Sequence, residues 1–118
     1  MDAGRADQPV VTGAWTALDP ATGAILWQTP VPETDPGFGA APGPLSVANG
    51  VVYGCTSLGT YTAMNAQTGA VLWTAASGST SCAAGAAISQ GMVFWGTGYN
   101  QIKFQPIQPG RVSAFTTQ

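Results

Sequence analysis

The chain has 118 residues, of which 3 are Lys or Arg, 5 are Asp or Glu and none is His. With cations only at Arg5, Lys103 and Arg111 and a net charge of −2, it carries no footprint for phosphate backbones, and without His it has no imidazole for catalysis or metal binding. Hydrophobic residues make up 45 % and charged residues 7 %, which excludes a disordered tail, while 16 Gly and 9 Pro exclude a helical bundle.

In chain order, Met1 to Pro9 hold no apolar stretch of signal-peptide kind, and residues 1–12 are expected to be disordered or frayed. Nine strands are predicted after them, within a single domain over 13–118. Two close a first unit (13–30): Trp15–Leu18 and Ile25–Thr29. Four make a middle unit (44–76): Pro44–Ala48, Val51–Cys55, Tyr61–Met64 and Val71–Thr74. Three open a third (83–118): Ala83–Ser89, Met92–Thr97 and Val112–Thr116. The Pro/Gly-rich segment Val31–Gly43 links the first two units, and the irregular segment Gly98–Gly110 interrupts the third. Asn49-Gly50 is a hairpin turn, and Gln90-Gly91 is expected to act in the same way. No helix of ordinary length is predicted; a short one over Ser81–Ala87 is the alternative, disfavoured by Gly85. No apolar run approaches the ~18 residues of a membrane span.

The units repeat. Ala17-Leu18-Asp19-Pro20-Ala21-Thr22-Gly23-Ala24-Ile25-Leu26-Trp27 matches Ala63-Met64-Asn65-Ala66-Gln67-Thr68-Gly69-Ala70-Val71-Leu72-Trp73 at an offset of 46 residues. Asn49-Gly50-Val51-Val52-Tyr53 matches Gln90-Gly91-Met92-Val93-Phe94 at an offset of 41. A third copy of the first element begins at Val112-Ser113-Ala114-Phe115. A period in this range, filled by short strands and tight turns, is that of a four-stranded propeller blade. The fold class is therefore all-β, a partial β-propeller of about two and a quarter four-stranded antiparallel blades. The scarcity of charge fits strands that expect a neighbour on both faces.

The pattern Ala-x-Asp-x-x-Thr-Gly-x-x-x-Trp resembles the tryptophan-docking repeat of quinoprotein β-propellers, a group that includes pyrroloquinoline-quinone (PQQ) dehydrogenases and their non-enzymatic relatives. Ala17, Asp19, Thr22, Gly23 and Trp27 match it in full; Ala63, Thr68, Gly69 and Trp73 match it with Asn65 in place of Asp. The stretch from Ala83 to Tyr99, followed by a loop and Val112-Ser113-Ala114-Phe115, is similar to the C-terminal end of the polyvinyl-alcohol-dehydrogenase-like branch. The resemblance implies that Trp27 and Trp73 pack between blades and donate their indole N–H to a neighbouring blade. It also implies a parent in the periplasm or outside the cell, with PQQ and calcium as cofactors and a small alcohol or polymer as substrate. The partners of this chain would then be the remaining blades, or further copies of itself.

Up-and-down topology puts the end of a second strand and the start of a first strand on one rim, so Cys55 and Cys82 fall together in adjacent blades. They form a disulfide if the protein is exported; the alternative is two buried thiols. In the resembling family this rim holds the cofactor, which makes Ser81, Cys82, Tyr99 and Asn100 candidate contacts, with Ser79 and Thr80 beside them. The alternative is that these loop residues satisfy local backbone. A PQQ dehydrogenase needs oxygen ligands for Ca²⁺ and an Asp base. Only Glu33 and Asp35 lie in a rim loop, and they match no family catalytic motif, so no catalytic residue is assigned and the chain alone is expected to be incomplete for turnover. A non-catalytic propeller scaffold that binds protein partners is the competing expectation.

Overall fold

Hairpin chemistry sets the strand pairing. At Asn49-Gly50 both turn residues have positive φ (52° and 77°), and Gln90-Gly91 repeats this at 50° and 77°. Two consecutive left-handed residues make the tight turn whose twist matches antiparallel strands. The computed structural model describes residues 13–32, 41, 43–78, 82–98 and 110–116. Within them lie β1 (Ala14–Leu18), β2 (Ile25–Pro30), β3 (Ser46–Ala48), β4 (Val51–Cys55), β5 (Thr60–Asn65), β6 (Val71–Ala76), β7 (Ala87–Ser89), β8 (Met92–Thr97) and β9 (Arg111–Thr116). They form antiparallel meanders of two, four and three strands: β1-β2, β3-β4-β5-β6 and β7-β8-β9. No helix occurs among the described residues. The chain is all-β, with sheets consistent with partial propeller blades.

The repeated sequence element folds twice in the same way. Ala17 pairs with Trp27 and Leu18 with Ile25, leaving Leu26 as an extra residue; Ala63 pairs with Trp73 and Met64 with Val71, leaving Leu72 extra. Each is a bulge placed where the outer strand begins. The Asx residue organises both turns. Asp19 Oδ1 accepts the Ala21 N–H at 2.8 Å, and Asn65 Oδ1 accepts the N–H groups of Gln67 at 2.8 Å and Thr68 at 3.2 Å. The Thr closes each turn, Thr22 Oγ1 accepting from Ala24 and Thr68 Oγ1 from Ala70, both at 3.2 Å.

Two strands are shorter than the sequence predicts. β3 starts at Ser46 rather than Pro44, and β7 starts at Ala87 rather than Ala83. The segments ahead of them pack on each other instead of pairing. A Cβ on Gly43 would stand 2.9 Å from the Ala83 carbonyl carbon, and one on Gly85 would stand 3.0 Å from Pro44 Cγ. Pro44 also has no N–H to give a ladder. Several other strands extend one or two residues past their predicted ends, as fraying boundaries do.

The four-stranded sheet is the middle layer. Side chains alternate along a strand, so β4 and β5 send Val52 and Met64 towards β1-β2, and Tyr53, Cys55, Tyr61 and Ala63 towards β7-β8-β9. Burial on both faces gives these two strands an almost unbroken run of buried residues, whereas the outer strand β6 is largely exposed. Trp15 and Val31 join Val52 and Met64 in one core; Cys82, Ala86, Val93 and Trp95 complete the other.

Candidate functional site

The repeat residues meet at the two junctions between sheets. At the first, Trp27 reaches from β2 onto the turn between β5 and β6. Its Nε1–H donates to the Ala66 carbonyl at 2.9 Å. The ring lies directly over Gly69, where a Cβ would be 2.5 Å from Trp27 Cε3. Thr29 Oγ1, buried, donates to the Gly69 carbonyl at 2.6 Å. The motif Thr-Gly is thus one half of a fit and Trp the other half: the Gly φ of 76° makes the turn, and the missing side chain makes room for an indole from the next sheet. Trp15 uses the same device on β4. Gly54 in mid-strand leaves space for it, since a Cβ there would be 2.9 Å from Trp15 Nε1.

The second junction is built differently. Cys55 at the end of β4 and Cys82 ahead of β7 are joined by a disulfide, with Cα atoms 6.0 Å apart. Tyr61 and Trp95, 0 % and 1 % exposed, stack with centroids 4.7 Å apart and planes at 12°. Tyr53 and Phe115 meet this pair edge-on. Phe94, next along β8, points away and is exposed, as strand alternation requires. Cross-sheet hydrogen bonds run from Ser46 Oγ to the Ala86 carbonyl and from Tyr61 Oη to Ser113 Oγ at 3.1 Å. Trp73, the counterpart of Trp27, touches Phe115 edge-on at 4.8 Å and has no hydrogen-bond partner among the described residues.

The rim that gathers Cys55 and Cys82 also gathers Thr56, Ser57, Ser77, Gly78, Thr97 and Arg111. Cys82 is 1 % exposed and its sulfur is shared with Cys55, so it ties two sheets together beneath the rim. The Arg111 guanidinium lies against Gly78, where a Cβ would stand 3.0 Å from Nη1. Trp95 Nε1 and Thr97 Oγ1, on one face of β8, are buried without a hydrogen-bond partner among the described residues. Ser79, Thr80, Ser81, Tyr99, Asn100, Lys103, Glu33 and Asp35 lie outside the described residues. Asp19, the one described carboxylate, sits at the opposite strand ends, holding its own turn. The described residues contain no group of three or more His, Cys, Asp or Glu side chains.

Two interlocking Thr-Gly and Trp elements, one four-stranded meander and flanking partial sheets are the structural content of a propeller repeat. A family model of PQQ-repeat type, described as outer membrane protein assembly factor BamB, matches residues 12–113. The chain belongs to this family. The match spans both Trp elements, the disulfide and the third sheet as far as Ser113, midway along β9. No curated protein matches the chain as a relative. Membership accounts for the first junction as a docking system: there the Trp of one repeat element and the Gly of the other join sheet to sheet.

Sequence reasoning missed Gly54 and the Tyr61–Trp95 stack. An isolated Gly inside a β pattern is the signal for a close approach, and it was present at Gly54. The stack had no signal, because its partners are 34 residues apart in different units.

Proposed function

We propose that this chain is a non-catalytic blade segment of a propeller scaffold, whose work is to present rim loops and sheet edges to protein partners. The observation that carries this reading is that the described residues at the sheet junctions are engaged in joining sheets: Trp27 on Ala66 and Gly69, Thr29 on Gly69, Cys55 on Cys82. The matching family, that of an outer membrane protein assembly factor, supports the same reading. A disulfide persists in oxidising compartments, which supports a periplasmic or extracellular setting.

A second reading is a C-terminal segment of a PQQ-dependent, polyvinyl-alcohol-dehydrogenase-like oxidoreductase that acts on a small alcohol or a polymer. Arg111 at the rim favours it, as a guanidinium suits a quinone carboxylate. PQQ would supply hydride-accepting chemistry when bound; Ser81, Tyr99 and Asn100 are proposed to meet it. Titration of the purified chain with PQQ, with and without Ca²⁺, followed by tryptophan quenching, separates the two. The scaffold reading expects no saturable binding. Stoichiometric Ca²⁺-dependent binding weakened by Arg111→Ala would overturn it.

A further inference from the structure

The disulfide sits where each of its sulfurs also meets a backbone carbonyl. Cys55 Sγ lies 3.5 Å from the Ala84 oxygen, and Cys82 Sγ lies 3.8 Å from the Gly96 oxygen. A bonded sulfur has no hydrogen to give, so the intact bridge donates to neither carbonyl. Two thiols at the same places would each have an acceptor in reach. The two contacts differ in what they join. Cys55 is on β4, so a bond to Ala84 would still cross from the middle sheet to the segment ahead of β7. Cys82 would hold that segment to β8 of its own sheet. Both cysteines are buried, at 3 % and 1 % exposure, where an unpaired donor is costly and a paired thiol packs like a small apolar side chain. Around them the junction has contacts that owe nothing to sulfur: the Tyr61–Trp95 stack, the Tyr61 Oη–Ser113 Oγ bond, the Ser46 Oγ–Ala86 bond and the close packing of Gly43 on Ala83.

We propose that Cys55 and Cys82 are a reversible redox couple built into the second junction: the reduced chain keeps the same fold, with Cys55 Sγ–H donating to Ala84 and Cys82 Sγ–H to Gly96. Reduction is thiol–disulfide exchange with a dithiol. One thiolate of the dithiol attacks a protein sulfur, and the Cys55–Cys82 bond breaks. Its second thiolate then closes the dithiol's own disulfide and releases the other cysteine. Two electrons pass to the protein, and each cysteine takes up one proton. A small disulfide, oxidised glutathione for example, reverses the exchange. The second junction thus has two grades of closure, covalent in an oxidising compartment and hydrogen-bonded in a reducing one. The first junction has no cysteine and one grade only. The inference does not depend on whether the rim meets a protein or a quinone.

The test reduces the intact chain with dithiothreitol, removes the reagent without oxygen, and records near-ultraviolet circular dichroism and the infrared S–H stretch. The expected result is aromatic dichroism like that of the oxidised chain, with two S–H bands lowered from the position of a thiol in apolar solvent. Cys55→Ala and Cys82→Ala should each remove one of the two bands. The ratio of folded to unfolded chain should fall roughly several-hundred-fold, the worth of the closed loop, and oxidised glutathione should restore it. Collapse of the aromatic dichroism on reduction overturns the proposal. S–H bands of the reduced parent chain at the position of a thiol in apolar solvent also overturn it.

Discussion

The two junctions use the same repeat and end in different states. At the first, Trp27 is docked: its indole is hydrogen-bonded to Ala66 and seated on Gly69. At the second, Trp73 keeps only an edge contact with Phe115, and the junction is held by Cys55–Cys82 and by the Tyr61–Trp95 stack. The difference teaches what the Thr-Gly and Trp motif does. A Trp on an outer strand is a plug without a socket until the next sheet supplies its own turn. Where that turn is present, hydrogen bonding and a glycine fit lock the sheets together. At the second junction a covalent bond and aromatic packing nearer the strand centres carry the contact.

The comparison can be broken first at the stack. Trp95→Ala removes the largest fully buried side chain and should cost about 3–5 kcal/mol, read as a fall in the urea midpoint with unchanged slope. A cost under 1 kcal/mol would show that the second junction does not depend on the aromatic pair. Next comes the disulfide. Replacing Cys55 and Cys82 by Ala opens a loop of 27 residues and should cost about 3–4 kcal/mol. Dithiothreitol should produce the same loss in the parent chain and none in the double variant.

The glycine pair sharpens the contrast. Gly23 and Gly69 share a φ of 76°, so an Ala at either meets the same backbone penalty of ~1–2 kcal/mol. Gly23 has nothing within 4 Å of its would-be Cβ, whereas Gly69 lies under Trp27. Gly69→Ala should therefore cost about 1–3 kcal/mol more than Gly23→Ala, the range for overpacking. Equal costs would mean that the indole does not rest on Gly69. The smallest effect is at the indoles. Trp27→Phe should cost about 1–3 kcal/mol by leaving the Ala66 carbonyl without its donor. Trp73→Phe, with no bond to lose among the described residues, should stay within ~0.5 kcal/mol.

Much of this fold was legible because the information was local and repeated. An Asx, a Thr and a Gly at fixed spacing specify a turn through bonds spanning two or three residues, and the copy at an offset of 46 says that the turn occurs twice. Paired Asn-Gly and Gln-Gly signals place β3-β4 and β7-β8 in the same way. The early limits assigned to β3 and β7 failed because Gly43, Pro44, Ala83 and Gly85 face one another across two units, a contact with no local signature. The asymmetry of the two junctions was also beyond reach of the pattern. Trp27 and Trp73 sit in near-identical sequence, and only the neighbouring sheet decides which of them is docked. Of the proposed rim contacts, Cys82 falls within the described residues, under the rim and bonded to Cys55; Ser81, Tyr99 and Asn100 fall outside them.

Hydrogen exchange of the four indole N–H groups tests the central claim most directly. Trp27 is bonded, Trp15 and Trp95 are buried, and Trp73 alone among them is both open to solvent and unbonded among the described residues. The account predicts three slowly exchanging indole signals and one fast one, with the fast signal lost in Trp73→Phe. Exchange at Trp73 as slow as at Trp27, in a dilute monomeric sample, would contradict it.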